Sequence, residues 1–115
     1  MTGNDGDVSE LDPSACRALL EGKAGCVVID VRTPDEYARS HIPDAVNIDL
    51  SSAAFTGLIG KLDRNGTYLV CCRLGGRAAK AARIMRQLGF TRVYNLAGGV
   101  DRWRAEGLPV SSEGA

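Results

Sequence analysis

The chain has 115 residues, 44% of them hydrophobic and 24% charged, with 14 basic and 14 acidic side chains. That length and balance describe one soluble domain burying roughly two-thirds of its unfolded surface, and they exclude a chain that is disordered throughout, a collagen and a coiled coil. A net charge of zero gives no global reason to expect a nucleic-acid or membrane partner, and no apolar run approaches the ~20 residues of a membrane-spanning helix.

Residues 1–7 are polar and acidic, do not read as a secretory signal, and are expected to be a disordered tail, as are residues 111–115; the domain is expected over 8–110. Asp12-Pro13 opens a helix, with Asp as N-cap and Pro in the first turn. Ala15, Leu19 and Leu20 give that helix a buried face, and Gly22 lies near its end. Cys26-Val27-Val28-Ile29, ending at Asp30, is a short apolar run of the kind found in buried parallel strands. Thr33-Pro34-Asp35-Glu36-Tyr37 starts a short helix with Thr as cap and acids in the first turn. Ala45 to Ile48 forms a second strand after the Pro43 turn, and Ser51 to Leu62 reads as helical despite Gly57 and Gly60.

Asn65-Gly66 is a turn, and Tyr68 to Cys72 is the clearest strand. Arg77 to Leu88 is the clearest helix, with Ala78, Ala81, Ala82, Met85 and Leu88 on one face and Gly89 ending it. Val93 to Leu96 is another strand, and Gly98-Gly99 leads into a helix carrying Trp103 and closed by Gly107. Alternating strands and helices predict an α/β domain with a parallel sheet.

The zero net charge conceals a segregation. Residues 1–63 hold 11 acids and 5 bases, whereas residues 64–115 hold 3 acids and 9 bases. From Arg64 to Val100 there are seven bases and no acid. A solvated basic face accounts for such a run; so does a local positive field around an anionic group.

Four cysteines are present, Cys16, Cys26, Cys71 and Cys72, with a single histidine, His41. No CxxC pair and no Cys/His cluster at zinc spacing occurs, so no metal site is expected. With no sign of export the thiols should stay reduced, as in a cytoplasmic protein. A disulfide between Cys71 and Cys72 would be strained, because neighbouring Cα atoms lie about 3.8 Å apart.

Sites in open α/β sheets lie beyond the carboxyl ends of the strands. The strand ending at Cys72 runs into Arg73-Leu74-Gly75-Gly76 and then a helix near Arg77. Cys72 therefore faces a helix N-terminus with unpaired amide donors, and the two glycines let the backbone curl its N–H groups inward as an anion nest. Arg73 and Arg77 add positive charge. Each of these favours a thiolate, so a depressed pKa is expected for Cys72. Cys71 points to the opposite sheet face and reads as core filler, as do Cys16 and Cys26.

Three segments in order, covering 8–110, resemble the rhodanese sulfurtransferase domains. They are Ile29 to Tyr37 followed by His41 to Ile48; Tyr68 to Arg77 with its Cys72 loop; and Asn95-Leu96-Ala97-Gly98-Gly99-Val100 with Trp103, Gly107 and Pro109. The resemblance implies a five-stranded parallel sheet between helices in strand order 3-2-4-5-1. It implies that Cys72 takes sulfane sulfur from a donor such as thiosulfate or a persulfide, and passes it from a cysteine persulfide to a thiol or cyanide. Arg73, Leu74, Gly75, Gly76 and Arg77 would cradle the persulfide, and no cofactor or metal is implied. A protein could also donate or accept the sulfur, and composition favours a monomer.

Asp30, Arg32 and Glu36 read as an ion-pair and capping network beneath the site, and His41 and Trp103 as structural residues. Leu74 stands where a small or polar residue is common in the family, Ala78 where Ser is frequent, and Cys71 where an aromatic is usual. Ser40 and Asp44 stand where glycines are usual. Two other readings accompany the first. A Cys-dependent phosphatase or arsenate reductase shares this fold, but its loop resembles Cys-x5-Arg, and here it is Cys-x4-Arg. A non-catalytic module could dock a partner or sense redox state through Cys71 and Cys72.

Overall fold

A computed structural model describes residues 9–22 and 25–113, so the expected N-terminal tail lies outside the described residues. In chain order the elements are β1 (Ser9–Leu11), α1 (Pro13–Glu21), β2 (Val27–Asp30), α2 (Pro34–Arg39), β3 (Val46–Asn47), α3 (Phe55–Gly60), β4 (Thr67–Cys71), α4 (Gly76–Gln87), β5 (Arg92–Leu96) and α5 (Gly99–Ala105). All five strands pair in parallel in the order β1-β5-β4-β2-β3. Read from the other edge, this is the expected 3-2-4-5-1.

The local causes are those the sequence advertises. Asp12 Oδ1 accepts a hydrogen bond from the Ala15 N–H at 2.8 Å, relieving one of the orphan donors that open α1. Thr33 and Glu36 form a reciprocal capping box: the Glu36 N–H donates to Thr33 Oγ1 at 3.4 Å and the Thr33 N–H to Glu36 Oε1 at 3.1 Å. The side-chain alternation of β4 divides the core. Tyr68, Val70 and Cys72 face α3 and α4, among Phe55, Ile59, Ala81 and Met85. Leu69 and Cys71 face the other layer, with Cys16 of α1 and Val100 and Trp103 of α5. The Trp103 indole N–H donates to the Pro109 carbonyl at 2.8 Å, fixing the chain leaving α5.

One strand is missed and two expectations are corrected. Patterning within 8–11 does not show β1; Ser9–Leu11 pairs with β5 at the sheet edge, and two of its three residues are exposed. The helix expected over Ser51 to Leu62 contracts to Phe55–Gly60. The Ser51 amide and hydroxyl both donate to Asp49 Oδ1, at 2.9 and 2.7 Å, and the Ala54 N–H donates to Ser52 Oγ at 3.0 Å. These local bonds give the backbone an alternative to the helix. Residues 111–113, expected to begin a flexible tail, are tied down: Ser111 and His41 exchange backbone hydrogen bonds at 2.8 and 2.9 Å, and the Glu113 N–H donates to the Ala38 carbonyl at 2.8 Å.

The Pro43 turn carries a cost of its own. The Ala45 N–H donates to the Ile42 carbonyl at 3.1 Å, with Asp44 at φ 67°. Pro followed by a left-handed residue is the type II arrangement, in which glycine is preferred. Asp44 is the one non-glycine residue at positive φ among the described residues.

Candidate active site

The chain leaves β2 toward β3 on one side and leaves β4 toward β5 on the other. The crevice between the carboxyl ends of β2 and β4 is therefore the switch point of the sheet, where ligands of such folds bind. Asp30 pairs with Cys71 in register, and the Val31 N–H donates to the Cys71 carbonyl at 2.9 Å. Cys72, the next residue, thus sits at the crevice, with the residue 2% exposed.

Gly75 shapes the loop. Its φ of 130° lies in the region L side chains rarely adopt, and it is the N-cap of α4. This conformation aims its N–H at Cys72 Sγ, 3.0 Å away. Its carbonyl accepts the first backbone bond of α4, from Ala79 at 3.0 Å, and a second bond from Asn95 Nδ2 at 3.3 Å. The amide aimed at the sulfur and the positive end of the 12-residue α4 both favour negative charge there.

The N-terminus of α5 clamps the same loop. The Val100 N–H donates to the Cys72 carbonyl at 2.8 Å and the Asp101 N–H to the Arg73 carbonyl at 3.1 Å. Gly99 makes this approach possible. It adopts φ +67°, and a Cβ there would collide with the carbonyl groups of Cys72 and Arg73. Gly99 is thus a backbone-packing device.

The loop arginines are not free cations. Arg77 makes a bidentate pair with Glu36, Nη1 to Oε1 at 2.7 Å and Nη2 to Oε2 at 2.9 Å, which joins α4 to α2. Arg73 Nε donates to Asp101 Oδ2 at 3.2 Å. Beneath the loop Arg32 Nη2 donates to Asp30 Oδ2 at 2.8 Å and to the Ser40 carbonyl at 2.6 Å. Asn47 Nδ2 bridges the Asp30 and Arg32 carbonyls at 3.0 and 2.9 Å. This buried pair, with its backbone partners satisfied, braces the floor of the crevice. Leu74, 62% exposed, stands at the mouth.

Residues 12–106 match the rhodanese-like domain family. The chain belongs to the rhodanese-like domain family. It is 34% identical over 99 residues to a thiosulfate sulfurtransferase GlpE of Pseudomonas savastanoi, covering 86% of this chain and 90% of that one. It is 30% identical over 103 residues to a sulfurtransferase of Allochromatium vinosum, covering 90% and 94%. A rhodanese-related protein from Thermoplasma volcanium has a similar structure, with TM-score 0.77 at 31% identity, covering 90% of this chain and 97% of that one.

Three of the four thiols of this rhodanese-like domain are pushed up by burial. Burial pushes the Cys71 thiol well above its ordinary value, and the Asp30 carboxylate raises it further. Burial also pushes Cys16 up to about 12 and Cys26 up to about 11. A thiol held protonated is a poor nucleophile. Cys72 alone receives a loop amide on its sulfur among the described residues. The structure gathers Cys72, Arg73, Leu74, Gly75, Gly76 and Arg77 into one loop over the Asp30–Arg32 pair. Asp101, Asn95 and Gly99 were not singled out by sequence as holding that loop. Asn95 did carry a signal, being an amide beside Leu96 at the buried end of its strand. His41 is buried and stacks on Tyr37, ring centroids 3.8 Å apart, with Nδ1 2.7 Å from the Tyr37 carbonyl. That is a structural setting.

Proposed function

We propose that this rhodanese-like domain is a sulfurtransferase that carries sulfane sulfur on Cys72. The observation that carries the reading is the Gly75 N–H aimed at Cys72 Sγ from 3.0 Å at the start of α4. With thiosulfate as donor, the Cys72 thiolate attacks the outer sulfur. Its electron pair forms the new S–S bond, and the old S–S bond breaks with its pair leaving on sulfite. The product is a Cys72 persulfide anion. The backbone amides of the loop from Arg73 to Arg77 and the positive end of α4 stabilise the charge on its outer sulfur. In the second step an acceptor thiolate or cyanide attacks that sulfur, and the bond pair returns to Cys72 as thiolate. Neither step needs a general base on the enzyme once both thiols are ionised.

The names of the relatives support thiosulfate as one donor, and an organic persulfide or a protein donor would use the same loop. Asp30 and Arg32 support the crevice floor, and Leu74 shapes its mouth. The domain acts as a monomer in a reducing, cytoplasmic setting. The Glu36 hold on Arg77 weighs against a phosphatase, in which the loop arginine must serve the transferred oxyanion. The test is steady-state sulfite release from thiosulfate with cyanide as acceptor. Turnover abolished in Cys72→Ser is expected; turnover that survives the substitution overturns the assignment.

A further inference from the structure

Asn95 places an amide inside the sheet. It lies in β5, paired in register with Glu10 of β1 on one side and next to Val70 of β4 on the other, and it is 0% exposed. Strand alternation puts its side chain on the face of Val93, which packs with Ala78, Ala81 and Ala82 of α4. There its Nδ2 donates to two acceptors, the Gly75 carbonyl and Glu10 Oε2, each at 3.3 Å. Its Oδ1 is buried with no hydrogen-bond partner.

As a packing residue this amide is a poor choice. A buried polar atom left unpaired lowers stability, and an apolar side chain of the same shape would remove that loss. The unpaired oxygen has a cause in the network. Two acceptors face the amide, so its N–H groups must turn toward them; a flip would set Oδ1 against the Gly75 carbonyl and the Glu10 carboxylate. Glu10, reaching from the edge strand, thus fixes which way the amide points. The amide then serves Gly75 while its own oxygen stays unpaired.

The orientation of Gly75 matters directly to the sulfur, because its N–H lies 3.0 Å from Cys72 Sγ. Side-chain packing does not set that aim. A Cβ on Gly75 or Gly76 would meet nothing within 4 Å, and glycine has the freest backbone of any residue. The aim is held through the Gly75 carbonyl, by the Ala79 N–H at 3.0 Å and by Asn95 Nδ2 at 3.3 Å. The Ala79 bond moves with α4. The Asn95 bond ties Gly75 to the sheet, from which Cys72 extends.

We propose that Asn95 is a positioning residue for sulfur transfer: oriented by Glu10, it holds the Gly75 carbonyl and keeps the Gly75 N–H aimed at Cys72 Sγ. The inference rests on the sulfurtransferase reading and deepens it. The hydrogen bonds of Asn95 go to Gly75 and Glu10 and not to the sulfur, so it acts through Gly75. The aimed amide holds negative charge on the sulfur as the sulfur reacts. Loss of Asn95 therefore lowers the maximal rate and leaves the half-saturating donor concentration alone.

The test follows single-turnover sulfur uptake from thiosulfate by intact mass on the full chain, with urea denaturation of the same variants. Asn95→Leu removes the donor and the unpaired oxygen while keeping the branching of the side chain. Its maximal uptake rate should fall about tenfold, less than the ~10²–10³ lost with a whole oxyanion donor, because the Gly75 amide is still present. Its half-saturating thiosulfate concentration should not change, and its urea midpoint should stay level or rise. Asn95→Ala should slow uptake by the same factor but lower the midpoint, because a cavity remains. Glu10→Ala should slow uptake by less, since Asn95 keeps its bond to Gly75. Uptake that tracks the urea midpoint across the two Asn95 variants, or that is unchanged in both, overturns the positioning role and leaves the sulfurtransferase reading standing. An unmodified, folded chain that takes up no sulfur from thiosulfate or an organic persulfide overturns both.

Discussion

Gly99→Ala should dismantle the clamp that holds the Cys72 loop. At φ +67° an alanine bears a conformational cost of about 1–2 kcal/mol. Its methyl would also lie against the carbonyl groups of Cys72 and Arg73, which are backbone and have no rotamer to escape into. Relief requires α5 to retreat, which breaks the Val100 bond to the Cys72 carbonyl at 2.8 Å and the Asp101 bond to the Arg73 carbonyl at 3.1 Å. A buried polar group left unpaired costs about 1–3 kcal/mol. With two bonds lost the sum, roughly 3–8 kcal/mol, is a large share of the ~5–15 kcal/mol that holds a domain folded. Gly107→Ala is the control: its φ is +81°, and a Cβ there meets nothing within 4 Å. It should lose only the conformational part, about 1–2 kcal/mol. Urea denaturation followed by the fluorescence of Trp103, the single tryptophan, measures both variants. The rate of sulfur uptake from thiosulfate, measured on folded protein, shows whether the loop is still positioned. A Gly99→Ala variant no less stable than Gly107→Ala, with an unchanged uptake rate, would refute the clamp.

Other outcomes follow from single contacts. The hydrogen bonds from Arg77 hold the Glu36 carboxyl at about 2 rather than 4.5, against the opposing effect of burial. A depressed folded-state pKa gives stability that is full above pH 4.5 and lost as pH falls toward 2. Glu36→Gln should therefore flatten the acid limb of a plot of urea midpoint against pH; identical acid limbs would contradict the pairing. Asp44→Gly should stabilise the Pro43 turn by no more than about 1 kcal/mol, because relief of the left-handed strain is partly offset by the entropy of the unfolded glycine. Asp44→Val should destabilise it by about 1 kcal/mol, and equal thermal midpoints for the two variants would show that the turn is not strained. Cys71→Ala should keep sulfur uptake by mass and lose about 1 kcal/mol of stability for the small cavity left behind; loss of uptake in a folded variant would give Cys71 a chemical role.

The parts of this molecule legible in the sequence are those with local causes. Asp12 and Thr33 sit at helix starts because their side chains reach amides three residues on, and that spacing is visible in one dimension. The opposite facing of Cys71 and Cys72 follows from the period of a strand. The Cys-to-Arg loop, its glycines and the following helix are contiguous, so the position of the nucleophile could be read directly. What remained hidden depends on groups far apart in the chain. Arg77 reads as a free loop cation until Glu36, 41 positions away, is seen to hold it. Arg73 likewise meets Asp101 across 28 positions. The strand Ser9–Leu11 carries little apolar patterning because it lies at an edge. The anchoring of Ser111 and Glu113 runs through backbone hydrogen bonds to His41 and Ala38, which leave no mark on residue type.

The central claim is that sulfur resides on Cys72, and intact-mass spectrometry of the chain after treatment with thiosulfate or glutathione persulfide tests it most directly. The account predicts a gain of one sulfur atom, removed by cyanide or excess thiol, absent from Cys72→Ser and retained in Cys71→Ser. A gain that persists in Cys72→Ser, or no gain with either donor from a folded chain, would contradict it.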